Sequence, residues 1–235
     1  MRTILAFILS AQVSWGALDF TAANSHGMVT TPSTVALVPM TISAWAYKIG
    51  TSGTRTITGF GNDGTQLLTL IGTATDGWGY VYQGTSGGLS VQTVTKDSSW
   101  RNRWVHICAV VESTTSRKIY LDGEPALTNT TSLASGNVSR VYVSGRVYSG
   151  TLTDFWGGHI SNVGIWSAAL TADEIKSLHA GASPKTIRPS SLVVHAALEN
   201  IGTGGGSGSS VNILGPQVLL TNTVSQAATQ PRIYR

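Results

Sequence analysis

The sequence predicts an all-β fold, a two-sheet antiparallel jelly-roll sandwich with one short helix near residues 171–180. Three observations predict it. Strand-length runs rich in β-branched and aromatic residues recur along the chain, broken by Gly, Asn, Asp, Ser and Thr. Within several of them residue character alternates with the two-residue period of a pleated strand. One segment only, Thr171 to Gly181, carries helical signals. A length of 235 residues suits a single all-β domain, and regularly spaced turn signals favour a sandwich.

The elements follow in order. Residues 1–16, "MRTILAFILSAQVSWG", hold a basic residue, an apolar stretch from Ile4 to Ala11, and Ser14 and Gly16 before Ala17. This start is read as an uncleaved N-terminal arm or strand, or alternatively as a signal peptide. It is too short to span a bilayer. Strands are expected at "ALDF", "MTISAWAYKI", "TRTITGF", "QLLTLIG", "GWGYVYQ", "LSVQTVT" and "RWVHICAVVE". In "TISAWAYKI", Ile42, Ala44, Ala46 and Lys48 alternate with Ser43, Trp45, Tyr47 and Ile49. One row faces the core and the other is partly covered.

"RKIYLDGEPAL" is a hairpin, because Asp122-Gly123 suits a tight turn that needs positive φ. "RVYVSGRV" and "GHISNVGIW" are further strands. In "TADEIKSLHAG", Thr171 and Glu174 form a capping box, Ile175 and Leu178 give one apolar stripe, and Gly181 is the C-terminal stop. Pro184 blocks continuation. Beyond it, "SPKTIRPSS" reads as a linker, "LVVHAALEN" as a strand and "IGTGGGSGSS" as a flexible loop. "VNILGPQVLLTNTVSQAA" supplies two more strands. Residues 17–235 thus form one domain, with 191–228 completing the sandwich and 229–235 a tail.

Charged residues make up 11% of the chain, well under the roughly 25% of an average soluble protein. Such a neutral, hydroxyl-rich surface suits the outside of a cell or particle, or burial against neighbouring subunits. The net charge of +4 comes without a basic run, so nucleic acid is not an expected partner. The lone Cys108 lies in the apolar run "WVHICAVV" and reads as a small buried thiol. No disulfide framework or zinc spacing is available to it.

The order of motifs resembles the laminin G-like, concanavalin A-like jelly-roll superfamily. The pieces that carry the resemblance are "ALDFTAANSHGMV", "MTISAWAYK", "RWVHICAVV", "RKIYLDGE", "RVYVSG" and "GGHISNVGIWSAALTADEIKSLHAG", covering about residues 17 to 181. The last is the most specific. The segment Leu192–Ala228 is similar to the stretch that begins many such domains, which implies a permuted order. The ending "QPRIYR" resembles members encoded among tailed-bacteriophage structural genes.

Some members cleave polysaccharides with two carboxylates on one strand. The only acid pair two residues apart here is Asp122 and Glu124, split by Gly123 in a turn and expected to face water. His106 and Cys108 share a strand face and read as an interior pair, and no nucleophile elbow is present. The chain is therefore read as no enzyme. Members often bind calcium through rim oxygens; Asn62, Asp63 and Asp154 are the candidate donors, fewer acids than the family usually brings. No other cofactor is expected.

Carbohydrate binding needs an exposed aromatic platform. Trp78, Tyr80, Trp100 and Trp156 are the candidates, since each sits beside Gly or polar residues at a strand end. Trp45, Trp104 and Trp166 lie inside strand motifs and read as core. Family analogy then implies a non-enzymatic virion surface protein of a tailed bacteriophage, a head decoration or fibre component. Its partners would be the major capsid protein or other virion proteins, with homo-oligomers, and its rim would hold host glycans. The alternative is a secreted, extracellular bacterial lectin or adhesin.

Overall fold

A computed structural model describes residues 17–21, 26–49, 53–62, 66–85, 88–148 and 151–198, with strand residues 210–211, 218–221 and 225–226. Residues 1–16, the tail 229–235 and Asp63 lie outside the described residues. The strands are β1 (Leu18–Asp19), β2 (His26–Ala36), β3 (Met40–Lys48), β4 (Arg55–Gly61), β5 (Leu67–Gly72), β6 (Gly77–Gln83), β7 (Leu89–Thr95), β8 (Trp104–Ser113) and β9 (Ser116–Leu121). They continue as β10 (Glu124–Asn129), β11 (Asn137–Val143), β12 (Arg146–Tyr148), β13 (Thr151–Thr153), β14 (Gly158–Trp166), β15 (Leu192–Ala196), β16 (Ser210–Val211), β17 (Val218–Thr221) and β18 (Ser225–Gln226). One α-helix, α1 (Ala172–His179), follows β14.

Among the described residues the strands make two eight-stranded antiparallel sheets, as the alternation predicts, and β12 and β13 pair as a separate two-stranded ribbon. The first runs β10-β9-β8-β3-β14-β1-β18, with β15 also paired to β14. The second runs β16-β17-β2-β11-β4-β5-β6-β7. The C-terminal strands therefore join both sheets: β15 and β18 the first, β16 and β17 the second.

The two sheets close on one apolar core, and the sizes of the facing side chains explain how. From β3 come Ile42, Ala44 and Ala46, and from β8 Val105, Ile107 and Ala109. From the opposite sheet come Trp78, Tyr80 and Tyr82 of β6, with Phe60 and Leu70 beside them. Sheets packed face to face lie about 10 Å apart. Small alanines on one wall leave room for large aromatics from the other. Trp156 packs at a tilt against Trp78, ring centres 6.1 Å apart, and lies over Gly72. A Cβ on Gly72 would sit 2.9 Å from the Trp156 ring, so this glycine makes space for an indole.

The hairpin and helix follow their local codes. Asp122 and Gly123 adopt φ of 52° and 81°, the two positive angles of a tight β-hairpin turn. Glu124 pairs with Leu121 across it. In α1 the Thr171 hydroxyl accepts from the Glu174 N–H, and the Glu174 carboxylate accepts from the Thr171 N–H. Ile175 and Leu178 are buried, and Gly181 ends the helix at φ 101°. The helix lies on the outer face of the first sheet, over Cys108, Val110, Tyr120 and Trp166.

One electrostatic clasp ties the sheets together at their edge. Lys48 is an inward-facing residue at the end of β3 and is buried. Its ammonium meets Asp76, in the turn between β5 and β6, at 3.3 Å, and also donates to the Thr73 carbonyl. Arg101, just before β8, grips the same carboxylate through two nitrogens. The Arg101 hydrogen bond is the main cause that holds the Asp76 carboxyl down at about 2, against an ordinary 3.8.

A carboxyl held below its unfolded value stabilises the fold fully above that value and loses the effect as pH falls through the folded one. The clasp should therefore weaken between pH 4 and pH 2. Asp76→Asn is expected to lower the thermal midpoint at pH 7 and to flatten the wild-type stability loss in that acid window. Calorimetry from pH 7 to pH 2 checks both, and equal midpoints throughout would contradict the clasp.

Candidate functional site

The outer face of the first sheet is built by the other half of the β3 alternation. With Ile42, Ala44 and Ala46 in the core, Thr41, Ser43, Trp45 and Tyr47 must face outward. Register extends this into cross-strand rows. Asp19, His159, Tyr47 and Trp104 stand side by side on β1, β14, β3 and β8. In the next row stand Ser161, Trp45 and His106. Four of the five histidines, His106, His159, His179 and His195, gather on this face or against it.

The helix covers only part of the face. Beyond its C-terminal end the first row forms an aromatic patch. Tyr47 and Trp104 are half-buried, and their ring centres lie 5.7 Å apart in an edge arrangement. His159 lies 5.2 Å from Tyr47, and its Nδ1 is 3.6 Å from an Asp19 oxygen. Burial lowers the His159 pKa, opposed by the Asp19 charge, so the imidazole is held toward its neutral form. The Trp104 Nε1–H has no hydrogen-bond partner. Four adjacent strands span about 14 Å at a strand spacing of about 4.8 Å. The row thus sets two half-buried aromatic rings and a carboxylate along that line, with the buried His159 imidazole between them.

Under the C-terminal end of α1 lies a second, enclosed group. Ser43 Oγ and His106 Nε2 are 2.8 Å apart and buried. Trp45 stacks on His179, centres 5.5 Å apart, and meets His106 at 5.3 Å. Asn162 sits at a bulge in β14 with φ 47°, and its side-chain oxygen is 3.3 Å from His195 Nε2. Ser43, Trp45, His106, Asn162, Leu178 and Pro184 line a cavity of about 10 Å³, room for about one water molecule.

A serine beside a histidine invites a comparison with nucleophilic catalysis, and the geometry argues against it. His106 Nδ1 has no partner, so no third group orients the ring. The nearby Asp122 instead accepts the His106 backbone N–H at 3.0 Å and pairs with Arg103. Burial, with the His179 charge as a smaller cause, brings the His106 pKa to about 3, far below the range of a useful base at neutral pH. Burial also pushes the Cys108 thiol up, which makes it inert as a nucleophile.

Several expected site residues lie elsewhere. Trp78, Tyr80 and Trp156 are 0%, 1% and 2% exposed. They are core residues and present no face to a sugar, which corrects the expected platform. The glycines beside Trp78 do not mark exposure: Gly77, Gly79 and Val81 alternate with Trp78, Tyr80 and Tyr82, which fill the core. Trp100 is half-buried, but the Arg103 guanidinium sits 4.2 Å and the Lys96 ammonium 4.6 Å from its ring centre. Its ring is engaged by cations.

Asn62 and Asp154 do not meet either. Asn62 follows the C-terminal end of β4, where its amide side chain is bonded to Asn137 and Ser139. Asp154 sits at the other end, where its backbone accepts from Thr56 and its carboxylate pairs with Arg146 at 2.7 Å. Six residues of strand separate those ends by about 20 Å, so Asn62 and Asp154 cannot share one ion. Among the described residues no cluster of three His, Cys, Asp or Glu side chains is placed to hold a metal. Asp122 also departs from expectation: its turn is not simply solvated, since the carboxylate is fixed by His106 and Arg103 while Glu124 points away to Lys176.

Sequence reasoning missed Tyr47, Trp104 and Asp19 as half-buried residues of the outer face, with His159 buried among them. The available signal was the volume of the two rows of "TISAWAYKI". The alanine row fits a closed sandwich, and the aromatic row does not.

Two antiparallel sheets on one core, closed by a helix after the penultimate long strand, define a jelly-roll sandwich. The family model described as the Concanavalin A-like lectin/glucanases superfamily matches residues 22–176. The chain belongs to that family. No curated protein matches it by sequence. Among solved structures it is similar to a protein of Bacteroides ovatus described as a putative carbohydrate binding protein, with a TM-score of 0.68 and 19% identity. That match covers 94% of this chain and 62% of the other, so the chain spans less than two thirds of that relative. It is also similar to a heptameric SAP-like pentraxin of Limulus polyphemus, TM-score 0.58 and 13% identity, covering 88% and 95% of the two chains. A third is the CBM40 of a Ruminococcus gnavus IT-sialidase bound to alpha2,3 sialyllactose, TM-score 0.52 and 16% identity, covering 65% and 96%. At these identities the likeness is one of fold.

The enclosed histidines give a testable acid sensitivity. His106 and His195 are held neutral by burial, at about 3 and about 4. The unfolded chain, with histidines near 6.5, binds protons first, so stability falls as pH drops below 6.5. His106 alone is expected to account for on the order of 3 kcal/mol between pH 7 and pH 4. Urea unfolding across that range checks it, with His106→Asn losing less on acidification. An unfolding midpoint independent of pH from 7 to 4 would contradict the assignment.

Proposed function

We propose that the chain is a non-enzymatic carbohydrate-binding domain that seats its sugar on the outer face of the first sheet. The observation that carries this reading is the row Asp19–His159–Tyr47–Trp104, two half-buried aromatic rings on the outer face with a carboxylate at the end of the row. The apolar C–H faces of a saccharide pack on the Tyr47 and Trp104 rings. Asp19 meets its hydroxyls, and the buried, neutral His159 lies beneath them beside the Tyr47 ring. The fold relatives described as a carbohydrate binding protein and as a CBM40 with bound sialyllactose support the reading. Those relatives lend no support to a place on a phage particle or to a capsid partner. They favour the lectin alternative.

Glycan-array screening of the whole chain, followed by calorimetric titration of the best ligand, tests the proposal. Truncating an aromatic anchor at a binding site typically costs about 2 kcal/mol, about thirtyfold in Kd. Trp104→Ala and Tyr47→Ala are each expected to weaken binding by that order, and Trp100→Ala to leave it unchanged. Failure of every glycan to bind, or full affinity in both row variants, would overturn the reading.

A further inference from the structure

The two sheets end side by side at β10 and β7, and the two edges are built differently. β10 carries Glu124, Pro125 and a register shift between Pro125 and Leu127. A charge, a proline and a bulge are the devices that keep a sheet edge from pairing. β7, "LSVQTVT", has none of them: no charge, no proline and an unbroken register along all of β6. It also carries exposed apolar side chains, Leu89 at 58% and Val91 at 50%.

The ladder fixes which backbone groups of β7 are free. Gly84 N–H bonds to the Gly88 carbonyl, and Lys96 N–H to the Asp76 carbonyl, so the even-numbered residues of β7 are the ones bonded to β6. Leu89, Val91, Thr93 and Thr95 therefore turn their N–H and C=O groups away from β6. Among the described residues no strand pairs with that edge. The same four residues put their side chains on the outer face of the sheet.

We propose that β7 is a self-association edge that pairs antiparallel with β7 of a second copy of this chain. A two-fold axis at Gln92 sets Leu89 opposite Thr95 and Val91 opposite Thr93. In that register all four outward-facing residues fall in hydrogen-bonded pairs, and their apolar and threonine side chains line one shared face. Charge selects the direction. Lys96 and Asp97 follow β7 directly. Antiparallel pairing sends the two lysines to opposite ends of the ladder, where each faces Gly88 of the other copy. Parallel pairing would set lysine against lysine. The interface lies on the edge of the second sheet and leaves the aromatic face of the first sheet open on both copies.

Sedimentation equilibrium of the full chain across the micromolar range tests this. A concentration-dependent dimer of twice 24.6 kDa is expected. Thr93→Pro removes one outward N–H and no β6–β7 bond, which an edge strand tolerates. Val91→Lys places a charge opposite Thr93 of the other copy and diagonally across the axis from its own symmetry mate, where like charges repel. Each is expected to weaken the dimer by about tenfold or more, with an unchanged far-UV spectrum. Hydrogen exchange of the wild type supplies a readout without variants: the amides of Val91 and Thr93 gain protection as the protein is concentrated. A wild type that stays monomeric, or a dimer untouched by both substitutions and showing no such protection, overturns the proposal.

Discussion

The alternation of side chains along β3 is the constraint on which the rest of the structure depends. Its inner row is small: Ile42, Ala44 and Ala46. That wall lies against β4 and β5 of the opposite sheet, and Ile57, Phe60, Leu68 and Leu70 from those strands fill the same core as Trp78, Tyr80 and Tyr82 of β6. The same two-residue period sends Ser43, Trp45 and Tyr47 outward. A one-residue slip would exchange the two rows, putting indole and phenol rings into the sandwich and stripping the outer face. Core closure and surface chemistry are thus set by one register.

The outer face is then divided by α1. Thr171 and Glu174 fix where the helix starts, and Ile175 and Leu178 press it against Trp166, Cys108 and Tyr120. Trp166 lies over Gly164, where a Cβ would come within 2.4 Å of its ring. The helix therefore lies low over this part of the face and ends before the Asp19–Trp104 row. What it encloses near its end is polar: His106, Ser43 and Asn162. Such groups cost stability unless paired, and the His106–Ser43 bond meets only part of that demand. This enclosed cluster is a price in folding energy set by the need to cover the sheet, and its buried, poorly basic histidine distinguishes it from a catalytic pair.

Much of the fold was legible because it is written in local codes. The capping box, the Asp122-Gly123 turn and the short alternating runs need no knowledge of distant neighbours. The candidate site was less legible because it depends on which face of a strand is inside, and that is decided by the opposite sheet. Glycines beside Trp78 looked like a sign of exposure. They are the outer-row positions of a strand whose aromatic row is the core. Trp104 looked like core because "RWVHICAVV" is apolar throughout, yet that strand has two covered faces, one under the sandwich and one partly under the helix. Asn62 and Asp154 looked like calcium donors by type, but β4 holds them at opposite ends. Lys48 is the converse case, an inward lysine in an apolar row that makes sense only once Asp76 and Arg101 are placed around it.

The claim that binding uses the outer row and not the glycine-flanked tryptophans is tested most directly by following tryptophan indole N–H resonances while the tightest array glycan is titrated in. Each indole reports its own surroundings. The account predicts a saturating shift of the Trp104 resonance, with those of Trp78 and Trp156 unmoved. Shifts confined to Trp100, or a Trp104 resonance unchanged at saturating glycan, would contradict it.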